Sequence, residues 1–295
     1  MLLNPAERNP VKAADWMELK TLFSDSGNIS FEGLRSDIEV DGTLADEEDI
    51  ETVPHEFSEH LVASAAAEIK RRARIAKDAY PFESSAGVLK WTRDSACTPY
   101  IFCLLLADRE YYIPGDRRSV KLFEHLVCHT VQKYLGGEAV SFGEPRDTMV
   151  PGIIDAIGQL AALTGNRKLK DGYDYNARDK DIGLDVVGWR SFSDNRWGQV
   201  ELYVQCTTEQ HWQKKKGDLN LDEWRLILRL AFIPIKTLAI PYVVASRDWD
   251  RETPGMLLID RLRIVSILRL KELPEDEHNW WAWCEERIEE GRLRG

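Results

Sequence analysis

The sequence predicts an α/β fold of the α+β kind, with a mixed central sheet flanked by helices and a largely helical N-terminal half. Three observations carry this. Apolar residues recur at helical spacing in several stretches before Gly165. From Asp181 onward the texture changes to β-branched and aromatic runs that alternate with polar residues at period two. A chain of 295 residues with 43% hydrophobic composition is also long and apolar enough to fill a proper core.

Residues 1–52 hold one weakly helical piece around Asp15–Phe23, followed by Gly, Ser and acidic residues that bury little surface. They predict an acidic, partly flexible extension. Ser58–Asp78, alanine-rich and ending in Lys70, Arg71, Arg72, Arg74 and Lys77, predicts an amphipathic helix whose basic end suits the negative pole of its dipole. Helices follow at 98–109, at 119–135 where Gly136-Gly137 stops the pattern, and at 150–164 where Gly165 does so. Residues 53–165 therefore predict a helical region. In 166–295, Leu184–Trp189 and Val200–Thr207 predict a hairpin across the turn Ser193–Gly198. A helix at 221–231, a strand at 239–246 that Pro241 puts near an edge or a strand start, a segment 256–269 readable as strand or helix, and a Trp-rich helix at 278–292 complete a sheet core.

Composition narrows the function. No apolar stretch resembles a leader or a membrane span, because residues 226–245 are broken by Arg229, Pro234, Lys236 and Pro241, so a soluble, cytoplasmic protein is expected. Five scattered cysteines, Cys97, Cys103, Cys128, Cys206 and Cys284, lack CxxC spacing, which argues against a disulfide framework and a structural zinc site. The net charge of −11 disfavours a polyanion partner, but residues 39–51 carry seven acids and no base. The remainder, near −4, is compatible with a local basic groove.

On a strand, successive side chains point to opposite sides, so Glu201, Tyr203, Gln205 and Thr207 share one face of the predicted hairpin and Leu202, Val204 and Cys206 the other. The first face is expected to lie open, beside the neighbouring strand that carries Asp185. Carboxylates converging on a strand pair suit a hard divalent cation such as magnesium, which takes oxygen ligands and bridges to phosphate. Either Gln205 or Glu201 can stand as the cross-strand partner, depending on register.

A helix bearing Glu124 within Lys121-Leu-Phe-Glu124-His-Leu, then a strand with Asp185, then Gln205-Cys206-Thr207, resembles the PD-(D/E)xK superfamily of restriction-endonuclease-like nucleases. Phe142-Gly-Glu-Pro-Arg146, Gly198-Gln-Val and Trp212 extend the likeness, over about residues 65–270, to bacterial defence-associated proteins of similar length. The resemblance implies a restriction-endonuclease-like sheet and magnesium- or manganese-dependent hydrolysis of DNA phosphodiesters in anti-phage defence. The alternative it implies is an inactive nucleic-acid-binding or scaffolding subunit of a defence complex. The expected site comprises Asp185, Glu124 and Glu201 on the metal, Gln205 beside them, and Arg146, Lys215 and Lys216 on nucleic acid. Threonine at 207 departs from the family's lysine, whose ammonium would orient the attacking water, so Lys214 in the following Lys214-Lys215-Lys216 run is the expected replacement.

Other features read more simply. His125 and His129 at i, i+4 form a packed or surface pair rather than a zinc site. Ser84-Ser-Ala-Gly, Gly136-Gly137 and Gly143-Glu-Pro-Arg146 match neither a P-loop nor a dinucleotide fingerprint and read as turns. Trp280, Trp281 and Trp283 are expected to pack the last helix onto the body or a partner protein.

Overall fold

The computed structural model describes residues 9–36, 55–92, 98–108, 116–169, 182–194, 196–268 and 277–294. The acidic run 39–51 and Cys97 lie outside them. In chain order the helices are α1 (Pro10–Phe23), α2 (His55–Ala76), α3 (Thr98–Ala107), α4 (Arg117–Leu135), α5 (Ile153–Thr164), α6 (Leu221–Ile227), α7 (Trp249–Glu252), α8 (Arg261–Ile267) and α9 (Glu277–Arg294). The strands are β1 (Asn28–Ser30), β2 (Phe82–Ser85), β3 (Val88–Trp91), β4 (Glu138–Ser141), β5 (Arg167–Lys168), β6 (Val186–Arg190), β7 (Val200–Cys206), β8 (Leu228–Arg229), β9 (Ile235–Ala239) and β10 (Leu257–Ile259).

Contacts divide the chain into two compact units. The first comprises 1–115, 242–245 and 269–295, the second 116–241 and 246–268. The helical stretch 53–165 is thus shared between them, and the last helix belongs with the first unit.

In the first unit α1 is capped by the Asn9 side chain, which accepts from the Val11 amide at 3.0 Å, with Pro10 at the position where a missing N–H costs nothing. This corrects the expectation of a loose extension at 10–23, because Trp16, Met17, Leu19 and Leu22 are buried. Its acids are buried too. The Arg72 guanidinium, wholly enclosed, donates to Asp15 at 2.7 Å, Glu18 at 2.9 Å, Glu68 at 3.1 Å and the Val11 carbonyl at 2.9 Å. Tyr80 and Tyr100 hydroxyls donate to Glu18 at 2.6 and 2.9 Å. Ser84-Ser-Ala-Gly is the tip of a hairpin rather than an isolated turn: β2 and β3 pair antiparallel across Ala86 and Gly87, both at positive φ as a tight two-residue connection requires. With β1 they form a three-stranded sheet in the order β1-β3-β2. Helix α3 is apolar all round and buried, and its Phe102 meets Trp283 of α9 edge to face at 5.1 Å.

The second unit is built on a five-stranded mixed sheet in the order β10-β9-β7-β6-β4. β4, β6 and β7 are antiparallel neighbours, while β7, β9 and β10 run parallel. The predicted hairpin is β6–β7, with Val187 opposite Tyr203 and Trp189 opposite Glu201. Both of its faces are covered, which corrects the expectation of an open one. On one side Val187, Trp189 and Tyr203 pack with Ile157 and Leu160 of α5 and with Trp224 of α6. On the other, Gly188 sits under α4 so closely that a Cβ there would lie 2.2 Å from Val131. Burial on both sides suits a sheet sandwiched by helices.

Two boundaries shift. The helix at 221–231 stops at Ile227, because Leu228–Arg229 pairs antiparallel with β5. The strand placed at 239–246 is Ile235–Ala239: Ile240 donates a last bond to Ile259, and Pro241 has no N–H with which to continue. Segment 256–269 is both things, strand β10 followed by α8.

Candidate functional site

Asp185 stands at the mouth of β6, after a sharp turn in which Ile182 and Gly183 both take positive φ. Only glycine fits at 183, since a Cβ would lie 2.4 Å from the Asp218 carbonyl. The Asp185 amide donates to the Val204 carbonyl at 2.9 Å, although Val204 already pairs with Val186. This bond lies just outside the ladder, which begins at the Val186–Val204 pair. The Asp185 carbonyl accepts from the Phe142 and Gly143 amides at 2.6 and 3.0 Å, and its Oδ2 accepts from the Cys206 amide at 2.7 Å. Strands on both sides fix this residue.

What Asp185 meets comes from α4. A Cβ built on Gly143 would lie 2.9 Å from Asp185 Oδ1, 2.9 Å from Glu124 Oε2 and 3.0 Å from Glu124 Oε1. The two carboxylates thus border one small space that glycine leaves open. Lys121, one turn before Glu124, closes its far side: its ammonium donates to Glu124 Oε2 at 2.6 Å and to the Gly143 carbonyl at 2.8 Å. The Ser141 hydroxyl donates to the same Glu124 oxygen at 3.3 Å. Burial pushes the Glu124 carboxyl above its ordinary value, against the opposing pull of the Lys121 ammonium and the Ser141 hydroxyl.

The donor set fits a hard cation. Magnesium is held by one or two carboxylates and keeps several waters. A larger protein cage is not present: among the described residues no group of three or more His, Cys, Asp or Glu side chains is arranged to hold a metal. Thiol chemistry is disfavoured here, because burial, with the Asp185 and Glu124 charges adding to it, pushes the Cys206 thiol well up, and Cys128 is pushed up to about 12.

The structure brings Glu124 and Asp185 together. Gln205 is buried at the adjacent end of β7, one residue before the amide that holds Asp185. Thr207 is also buried, and its hydroxyl accepts from the Glu209 amide. Glu201 stands apart, four residues back along β7 or roughly 13 Å. There it accepts from Asn166 at 2.7 Å beside the Tyr203 hydroxyl, and burial raises its carboxyl to about 7.

The lysine run lies on a short 3-10 helix, Trp212–Gly217. Lys214 is exposed, Lys215 pairs with Glu209 at 3.0 Å and Asp218 at 3.4 Å, and Lys216 pairs with Glu252 at 2.7 Å while lying over Trp212. Arg146 pairs with Glu144 and stacks over Phe142 at 4.9 Å. His125 lies 2.6 Å from Asp147. The ammonium at the carboxylates is therefore Lys121, which sequence reasoning passed over. Its i, i+3 spacing to Glu124 was the available signal. Gly143, read as a turn, had no signal beyond being glycine.

Comparison of the chain with protein-family models, with curated proteins and with solved structures finds no match in any of the three.

Proposed function

We propose that the chain is a metal-dependent nuclease that hydrolyses phosphodiester bonds in DNA, with Asp185 and Glu124 as the residues that hold magnesium or manganese. The observation that carries this is the convergence of the two carboxylates on the space over Gly143, with an ammonium beside them. A helix with glutamate, a strand with aspartate and a neighbouring strand with Gln205, in that order, also support the resemblance to restriction-endonuclease-like enzymes. When bound, such a metal ion polarises a water into a nucleophile near neutral pH and draws charge from a phosphoryl oxygen.

The chain's own residues supply the rest. Asp185 is held by three main-chain bonds and by the Cys206 amide, so its orientation is set before any ligand arrives. Lys121, in place of the lysine absent at 207, puts a positive charge where the phosphate's developing negative charge would sit. Lys121 also supports a second reading, an inactive nucleic-acid-binding or scaffolding subunit, because its ammonium already neutralises Glu124.

Plasmid nicking in magnesium or manganese, native chain against Asp185→Ala, tests the first reading. The native chain is expected to cut and the variant to lose about a hundredfold or more. Equal cutting by both, or none by either, removes the enzyme. Salt-dependent DNA binding without cutting would then favour the second reading.

A further inference from the structure

At the other end of β6 and β7 the second unit carries a different surface. The β5–β8 ribbon sets Arg167 directly opposite Arg229. Like charges in that position repel across the ladder, and among the described residues neither has a carboxylate partner. Both are exposed. The Arg229 guanidinium also lies over the ring of Trp197, 5.6 Å from its centroid.

Trp197 is 47% exposed, yet it is held firmly. Its indole N–H donates to Asn166 Oδ1 at 3.1 Å, and buried Asn166 in turn donates to Glu201 at 2.7 Å and to the Thr164 hydroxyl at 2.9 Å. A chain of buried polar groups thus serves to fix one half-exposed ring. Beside it, Phe232 is 69% exposed, and its ring edge is 3.7 Å from where a Cβ on Gly198 would be. Aromatic faces with unpaired arginines are what an unstacked base and its phosphate require, since every base offers a π-face and every nucleotide a negative charge. A duplex keeps its bases stacked on one another and cannot use such a ring.

We infer that Trp197, Phe232, Arg167 and Arg229 form a docking platform for a single-stranded segment of nucleic acid, with a base on the Trp197 ring and a phosphate between the two arginines. The inference names the form of nucleic acid for the reading above but rests on different residues, so either can fail alone.

The test is fluorescence anisotropy of a labelled twelve-nucleotide oligothymidine with the full chain, in chelator so that no cutting intervenes. The native chain is expected to bind it well above a duplex of equal length. Trp197→Leu should weaken binding roughly tenfold while Trp197→Phe, which keeps a stacking face, retains most of it. Arg167→Gln with Arg229→Gln should lower the slope of log affinity against log salt by about 0.7, the share of one phosphate on a single strand. Both arginines are exposed, so this variant folds even if the tryptophan variants do not. Overturning results are absence of oligothymidine binding, equal binding of the duplex, unchanged affinity in Trp197→Leu, or competition by inorganic polyphosphate as strong as by the oligonucleotide. Plasmid nicking reports on Asp185 separately.

Discussion

Replacing Gly143 with alanine places a methyl group in the space that Asp185 and Glu124 share. Its carbon would start 2.9 Å from an oxygen of each, several tenths of an ångström inside ordinary contact. Neither carboxylate can swing aside without cost, since the other Asp185 oxygen, Oδ2, accepts from the Cys206 amide at 2.7 Å and Glu124 Oε2 accepts from the Lys121 ammonium at 2.6 Å. Residue 143 is not at positive φ, so the backbone accepts alanine and the cost is overpacking, about 1–3 kcal/mol. In a unit of this size that lowers the unfolding temperature by roughly 3–8 °C. The larger consequence is for a cation. Calorimetric melting with magnesium at ten times its Kd should show about 1.4 kcal/mol of stabilisation for the native chain and none for Gly143→Ala. Gly158→Ala, on α5 where a Cβ meets nothing within 4 Å, is the control: it should gain roughly 0.5–1 kcal/mol and keep the response to magnesium. A magnesium-induced shift in Gly143→Ala equal to the native one would refute the placement of the cation between these carboxylates.

Three further outcomes are expected. Lys121→Met leaves Glu124 buried without its counter-charge and should cost about 3 kcal/mol at pH 8 and less as pH falls, because burial already favours the neutral carboxyl; a loss independent of pH in urea unfolding would dismiss the ion-pair account. Glu201 has a folded value near 7, above its ordinary 4.5, so its contribution to stability is complete below about pH 4.5 and is lost as pH rises through 7. The native chain should therefore lose on the order of 3 kcal/mol across that window and Glu201→Gln distinctly less, which superimposable pH profiles of the urea midpoint would contradict. Arg72→Met strands Asp15, Glu18 and Glu68 and should destabilise the first unit by about 3–5 kcal/mol; a loss under about 1 kcal/mol, read by amide exchange in α1, would show that the acids simply protonate.

What was legible in the sequence was local. The β6–β7 hairpin follows from period-two alternation, and α4 and α5 from apolar spacing with glycine stops that adopt the left-handed cap. The Glu124–Asp185 convergence was expected only through the resemblance to a known family, not from any pattern in the residues between them. Long-range partners were not legible. Residues 10–23 were expected in a loose extension because the arginine that neutralises Asp15 and Glu18 lies more than fifty residues away. Glu201 and Tyr203 looked solvated because alternation shows which residues share a face, not what covers it, and the cover comes from α5 and α6. The bonds that hold Asp185 left no mark at all, since they come from residues 142, 143, 204 and 206 on other parts of the sheet.

The first unit is assembled from both ends of the described chain. Phe102 of α3 meets Trp283 of α9, whereas the described strands of the second unit all lie before residue 268. α1 is covered chiefly by α2, close by in sequence, whereas the apolar surface of α3 is completed only by α9, more than 150 residues later. α3 and α9 therefore hold one another in place across a long stretch of sequence, so loss of α9 would leave the buried apolar side chains of α3 without their cover.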